Sequence, residues 1–352
     1  MIAWSDAMNQ TIKIGERKVG DTASCFLIAE IGSNHNQDFS LALKHIDAAA
    51  ETGVDAVKFQ TFKASTHISV YAESPSYLDK KDLHELIHSL ELDRSWHAAL
   101  KKHCEERGVI FLSSPCDHDA VAELAELGMV ANKVASFDMP DLDLVKVVAA
   151  TGKPMILSTG LADWMEIQRA VDVCRAAGNE DIVLLQCTSI YPAPVKLSNL
   201  RAMATMRAAF NVLTGYSDHT LGDNIACAAV AMGACMIEKH FTLDRNLPGP
   251  DHPFACQPEE LREMVIKIRD IEAALGEGTK NGPRPEEREM ADKARRSIHA
   301  AVDIKAGEII RREMLVNKRP GHGIPPHLRD QLIGRAAKRD IKADAWLTWD
   351  AI

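Results

Sequence analysis

Between residues 25 and 276 a short apolar run is followed, eight times over, by a longer amphipathic stretch. The runs are CFLIAEI (25–31), AVKFQTF (56–62), VIFLSS (109–114), NKVAS (132–136), PMILSTG (154–160), IVLLQC (182–187), VLTGYS (212–217) and CMIEKH (235–240). Most are apolar nearly throughout, as strands buried on both faces require. The intervening stretches at 39–53, 93–108, 117–128, 141–152, 163–178, 196–210, 222–234 and 258–276 carry helical periodicity, several ending at glycine. Strands that alternate with helices pair in parallel through right-handed crossovers, and eight such units in about 250 residues close as a (β/α)8 TIM barrel of the α/β class. The rival is an open doubly wound sheet, which wants a Gly-rich phosphate turn after its first strand. The chain reads AEIGSNHN there and lacks the GxGxxG spacing.

Beyond residue 276 the texture changes. GEGTKNGPRPEEREMADKARRS is rich in Gly, Pro and charge and reads as a linker. The expected division is a barrel over 1–276, a linker over 277–294 and a small β-rich domain over 295–352. Within that last part DIKAGE (303–308) and DIKADA (340–345) look like two related turns.

Charge and cysteine usage narrow the function. A net charge of −9 gives no basic footprint for nucleic acid. No stretch is apolar for long enough to span a bilayer, and MIAWSDAMNQ has no signal-peptide pattern. Eight cysteines without a CxxC pair fit reduced thiols and a cytoplasmic location.

In a barrel of this kind the chemistry sits at the C-terminal strand ends. Those ends carry Glu30, Lys58 with Gln60, Ser113 and Ser114, Lys133 with Ser136, Ser158, Thr188 with Tyr191, His219, and Glu238 with His240. Lys58 and Lys133 lie inside apolar strands, where an unpaired charge is costly, so they read as binders of a phosphorylated, carboxylated anion. YSDHT and IEKHF end adjacent strands, which brings His219 and His240 together. They are either ligands of a borderline ion such as Mn2+ or corner histidines bonded to backbone. Glu30, flanked by apolar residues, is either an acid/base group or the partner of a neighbouring lysine. His45, His84, His88, His97 and His103 fall in helix-like stretches and read as solvated.

Taken together, LIAEIGSNHNQDFSLALKHIDAAAETGVDAVKFQTF, ILSTG, QCTSIYPAP, GYSDHT, IEKHFTLD and GPDH resemble the sialic acid synthase family, and KRPGHGI resembles that family's antifreeze-like SAF domain, a β-clip fold. The resemblance implies condensation of phosphoenolpyruvate with an N-acetylmannosamine-type sugar to a nonulosonic acid, with release of phosphate. It implies Lys58, Ser114, Lys133, Ser136 and Ser158 for phosphoenolpyruvate, and Gln60, Ser189, Tyr191, Asp251 and Arg319 for the sugar. His219 and His240 become the ligands of a divalent metal, Mn2+ with Mg2+ or Co2+ as alternatives, and Glu30 the acid/base. Glu238 is expected to orient His240. Arg319 is expected to reach the partner's site in a domain-swapped homodimer. N-acetylneuraminate is the default product, with pseudaminic or legionaminic acid, or a spore-coat polysaccharide precursor, as alternatives. KVASFD (133–138) and the serine at 189, where neuraminate-forming relatives show asparagine, are the departures that bear on the acceptor.

Overall fold

The computed structural model describes residues 10–73 and 82–352. All but the last residue of MIAWSDAMNQ lies outside the described residues. The chain divides into two compact units, one ending at Gly276 and one spanning Glu277–Ile352.

The first unit opens with a hairpin, β1 (Thr11–Ile14) and β2 (Arg17–Gly20). Eight parallel strands follow: β3 (Phe26–Gly32), β4 (Ala56–Thr61), β5 (Ile110–Pro115), β6 (Asn132–Val134), β7 (Met155–Ser158), β8 (Ile182–Cys187), β9 (Leu213–Asp218) and β10 (Met236–His240). Their hydrogen-bonded order is β5-β4-β3-β10-β9-β8-β7-β6, and the two end strands lie side by side, giving a nearly closed barrel as the sequence pattern predicts.

Strand period decides which side chains meet. Alternate residues point to opposite faces, so Leu27, Ala29, Ile31, Val57, Phe59, Tyr216 and Ile237 pack outward under the helices. Phe26, Ile28, Ala56, Leu112, Ile156, Val183, Leu185 and Met236 form a separate core inside the barrel. The next inward positions along the same strands are Glu30, Lys58, Ser114, Ser158, Cys187, Glu238 and His240. Apolar residues fill the N-terminal half of the interior and leave the C-terminal half to polar ones.

The hairpin was not expected from the sequence. Its inward residues Ile12, Ile14 and Val19 join the interior core and cover its N-terminal end. The polar residues between them, and a four-residue strand length, leave too short a pattern to separate from coil. The last barrel helix, Pro258–Leu275, is tied to the start of the first barrel strand. Arg269 Nη1 donates to Cys25 O at 3.0 Å, Glu272 accepts the Cys25 N–H, and Asp55 accepts the Leu27 N–H at 2.8 Å.

Two of the helix histidines contradict the solvated reading. His45 is fully buried: Nδ1–H donates to Leu41 O at 2.8 Å and Nε2 accepts the Leu243 N–H at 3.3 Å. His97 lies beside Thr61 Oγ1 at 2.9 Å. Both sit on the inward stripe of their helices, where helical period outranks residue polarity. All eight cysteines are unpaired.

In the second unit β11 (Ser297–Ala300) and β12 (Leu315–Lys318) pair antiparallel. The segment read as a linker contains a short helix, Arg288–Ala294. The two DIK turns pair reciprocally. Ile304 and Ile341 exchange backbone hydrogen bonds of 2.8 Å in both directions. Asp303 accepts the Ala343 N–H at 2.8 Å, and Asp340 accepts the Ala306 N–H at 2.9 Å.

The buried histidines set an acid limit on stability. Burial holds His35, His45 and His252 down at about 4, against an ordinary 6.5. Between those values the unfolded chain binds protons that the folded chain refuses, so stability falls as pH drops from 6.5 towards 4. Each such group contributes a slope of about 1.4 kcal/mol per pH unit. Urea unfolding of the wild type should therefore be steeper in pH over that range than unfolding of His35→Phe, by about that amount; equal slopes would contradict the assignment.

Candidate active site

A buried charge cluster occupies the C-terminal end of the barrel interior. Lys58 Nζ lies 2.6 Å from Glu30 Oε2 and 3.6 Å from Glu238 Oε2, and donates to Ser114 Oγ at 3.2 Å. Lys133 Nζ lies 3.5 Å from Glu238 Oε1. Ser217 Oγ donates to the same oxygen at 3.1 Å. Gln60 Nε2 donates to Glu30 Oε1 at 2.7 Å. The strand register accounts for the grouping, since Glu30 pairs with Lys58 across β3–β4 and Glu238 with Ser217 across β9–β10.

The two carboxylates are driven apart. Burial alone would raise Glu238, but the Lys133 and Lys58 ammonium groups bring it down to about 2. Glu30 shares only Lys58, and burial keeps its carboxyl above the ordinary value. Burial lowers Lys133, while Lys58 is raised because Glu238 and Glu30 outweigh its burial. Glu238 therefore does not orient His240 as expected from the sequence. Its Oε1 accepts from Ser217 and faces Lys133 at 3.5 Å, its Oε2 faces Lys58 at 3.6 Å, and among the described residues neither oxygen is hydrogen-bonded to His240.

Beside this cluster lies a cradle of small residues. Ser136 Oγ accepts the Gly160 N–H at 3.0 Å, and its hydroxyl points to Cys187 Sγ at 3.7 Å. Ser158 Oγ and Ser189 Oγ are buried with no hydrogen-bond partner among the described residues. A Cβ at Gly160 would come 2.3 Å from Ser189 Oγ and 2.8 Å from Ser136 Oγ, so only glycine leaves the hollow open. Orphaned hydroxyls are costly unless a ligand completes them, and a phosphate supplies the acceptors they lack. Sequence reading placed Ser136 and Ser158 here but missed Gly160 and Cys187; the glycine of ILSTG directly after a strand was the available signal.

On the other side stand the two histidines, ring centroids 5.3 Å apart. His219 Nδ1 is 2.8 Å from Thr188 O, a carbonyl that can only accept, so Nδ1 carries a proton and Nε2 is the ring nitrogen left to bind a metal. Burial and the nearby His219 and Lys58 hold His240 well below its ordinary value, hence neutral. Its buried Nδ1 has no hydrogen-bond partner among the described residues, with Asp251 Oδ2 at 3.6 Å. Two imidazoles with a carboxylate oxygen nearby form a donor set that fits a borderline-to-hard divalent ion, which would displace the second proton that Cys187 and the Thr188 carbonyl, outweighing burial, favour on His219.

The sugar-side candidates divide. Tyr191 packs on His219 at 4.3 Å between ring centroids, and Phe254 on Tyr191 at 5.3 Å. Asp251, pushed up to about 6 by burial and by Glu30, joins Gln60 and Glu30 around Gly32. Gly32 has φ +54°, and a Cβ there would sit 3.2 Å from both Gln60 Nε2 and Glu30 Oε1. Ser189 falls in the cradle rather than in this corner. Arg319 belongs to the second unit, where it is exposed. Ser113 points away from the interior and bonds Thr61 at 2.7 Å.

Residues 45–280 match the model of the NeuB family, and residues 295–352 match the SAF domain. The chain belongs to the NeuB family. Among its relatives, the N,N'-diacetyllegionaminic acid synthase of Campylobacter jejuni is 42% identical over 325 residues, covering 90% of this chain and 97% of that one. The pseudaminic acid synthase of the same organism is 34% identical over 90% of this chain and 93% of its own. The solved N-acetylneuraminic acid synthetase of Leptospira borgpetersenii superposes with a TM-score of 0.73 at 34% identity, covering 80% of this chain and 95% of that one. This NeuB-family chain thus has synthases of three different nonulosonic acids among its relatives.

Behind the two histidines of this NeuB-family barrel, on the outward face, lies a second buried ion pair. Lys239 Nζ is 2.7 Å from Asp218 Oδ2 and donates to Thr220 O at 2.7 Å. Asp218 Oδ1 accepts the Thr220 N–H at 2.9 Å and its hydroxyl at 2.8 Å. The pair pins the backbone on both sides of His219 and immediately before His240. Asp218→Asn leaves Lys239 buried without its counter-charge and should cost about 3–5 kcal/mol in urea unfolding, whereas Asp218→Leu with Lys239→Met should cost far less. Equal losses in the two variants would show that packing, not charge, holds the corner.

Proposed function

We propose that the chain is a nonulosonic acid synthase that joins phosphoenolpyruvate to an open-chain N-acetylmannosamine-type sugar and releases phosphate. The observation that carries this reading is the pairing of two buried lysines with a cradle of unpartnered hydroxyls inside one barrel mouth. A phosphate ester with a carboxylate fits that combination, because the ammonium groups balance its charge and Ser114, Ser136, Ser158 and Ser189 complete its oxygens.

In this reading C3 of phosphoenolpyruvate bonds to the sugar's aldehyde carbon, water adds at C2, and the C2–O bond to phosphate breaks. Mn2+, held by His219 and His240, would polarise the aldehyde oxygen. Glu30, held by Lys58 and Gln60 with its proton affinity raised by burial, takes the proton from the adding water. Lys58 and Lys133 hold the phosphate until it leaves. Tyr191, Gln60 and Asp251 frame the sugar, and Arg319 of a second copy completes the site in a domain-swapped dimer. Among acceptors, a 2,4-diacetamido-trideoxymannose is favoured by the 42% identity to a legionaminic acid synthase against 34% to the pseudaminic enzyme. Among the described residues no helix is long and apolar enough to cross a membrane; the reading adds a cytoplasmic location, where phosphoenolpyruvate is available.

The test is phosphate release from phosphoenolpyruvate with Mn2+ and either N-acetylmannosamine, 2,4-diacetamido-trideoxymannose or its altrose isomer, with mass spectrometry of the product. Release with the trideoxymannose supports the acceptor named here, release with another sugar moves the product, and release with none rejects the reaction. Gly160→Ala should raise KM for phosphoenolpyruvate by about ten-fold or more, a loss of about 1.4 kcal/mol, with the melting temperature nearly unchanged. An unaltered KM would remove the cradle from the phosphate's path. Scattering should find a dimer, and a fully active monomer would refute the role given to Arg319.

A further inference from the structure

Outside the cluster described above, the loops that follow β4, β5 and β6 bring an imidazole, a thiol and a carboxylate together. A ring nitrogen of His67, Sγ of Cys116 and a carboxylate oxygen of Asp138 all lie within 4.8 Å of one another. His67 closes the short helix Ala64–His67, its ring stacked on Phe62 with centroids 5.3 Å apart and planes 23° from parallel. Cys116 follows β5 directly, its thiol donating to Ser114 O at 3.7 Å and engaging Asp138. Asp138 lies in the turn after β6, half-buried, near both other groups.

The plain alternative is a local hydrogen-bonded triplet. Three features weigh against it. The groups come from three separate chain segments, so no local turn explains their meeting. They differ in kind, nitrogen, sulfur and oxygen, which is a ligand set rather than a capping pattern. Their separations, all within 4.8 Å, close onto the roughly 3.3–3.8 Å ligand spacing of a tetrahedral ion, with bonds of about 2.0–2.3 Å, by small side-chain movements. A thiolate makes the set softer than the His219 and His240 pair and so selects a different ion.

We propose that His67, Cys116 and Asp138 bind Zn2+, with water in the fourth position. The thiol proton goes to solvent as Cys116 coordinates. Cys116 lies two residues beyond Ser114, and Asp138 two beyond Ser136. The ion therefore ties the helix Ala64–His67 to the strand ends that carry those serines, at the rim of the same mouth.

The full-length protein would be titrated with Zn2+ against a chromophoric chelator, alongside Cys116→Ser and the double variant His219→Ala/His240→Ala. The expected result is a site lost or weakened by at least about ten-fold in Cys116→Ser but kept in the double histidine variant. Loading with Co2+ should give a thiolate-to-cobalt charge-transfer band in the near ultraviolet, present in the wild type and the double variant and absent in Cys116→Ser. His67→Ala should weaken the same site, with apo-protein melting of each variant confirming the fold. Zn2+ binding that Cys116→Ser leaves intact, or Co2+ binding without the thiolate band, overturns the proposal. A wild type that binds one equivalent of Zn2+, lost in Cys116→Ser and kept in the double histidine variant, supports the rim site.

Discussion

One carboxylate between two ammonium groups governs the interior of this barrel. Glu238 stands 3.6 Å from Lys58 and 3.5 Å from Lys133, away from bulk water. Without it, Lys58 would keep Glu30 but Lys133 would lose its carboxylate, and burial beside a like charge would press Lys133 to give up its proton. With it, Glu238 stays ionised and both lysines keep partners at distances long enough for an incoming anion to compete. The 2.6 Å contact of Lys58 with Glu30 is the tighter one. The cluster is thus closed enough to fold and loose enough to be recruited.

That arrangement couples charge to proton transfer. Glu30 owes its remaining acidity to Lys58, since burial and Glu238 both push its carboxyl up. In the proposed reaction an anionic substrate on Lys58 would weaken that support and raise Glu30 further. The group that must accept a proton becomes a better acceptor only when the substrate is in place. Glu238 is braced by Lys133 and Ser217 as well and remains an anion throughout.

How much of this could be read beforehand follows from which signals are local. The barrel was legible because period 2 within strands and period 3.6 between them recur over 250 residues. Lys58 and Lys133 stood out because charges inside apolar runs violate the pattern, and violations of pattern mark function. His45 and His97 were misread because a histidine on a helix gives no sign of which stripe it occupies until the neighbouring strand is known. Glu238 was given the wrong partner for a related reason. Its next neighbour on the same face of the strand is His240, but its partners come from β4, β6 and β9, and only the register reveals them. The hairpin at 11–20 was invisible because its value lies in covering the interior's N-terminal end, a surface that exists only after eight strands have closed.

The outward face shows why the interior can hold so many polar groups. A buried ion pair such as Asp218–Lys239 adds little net stability compared with an apolar pair of similar volume. What it adds is discrimination, because Lys239 can satisfy Asp218 and Thr220 O only in the register that pairs Lys239 with Asp218. A slip of one residue would turn Lys239 into the barrel and Glu238 out of it. Glu238 would then meet the outward apolar core, and the two lysines inside would lose their shared carboxylate. The outer pair and the inner cluster therefore enforce the same register from opposite faces of one strand. The IEKHFT stretch places its three charged or polar groups in succession because each serves a different face or layer. Glu238 serves the lysines, Lys239 the register, and His240 the mouth.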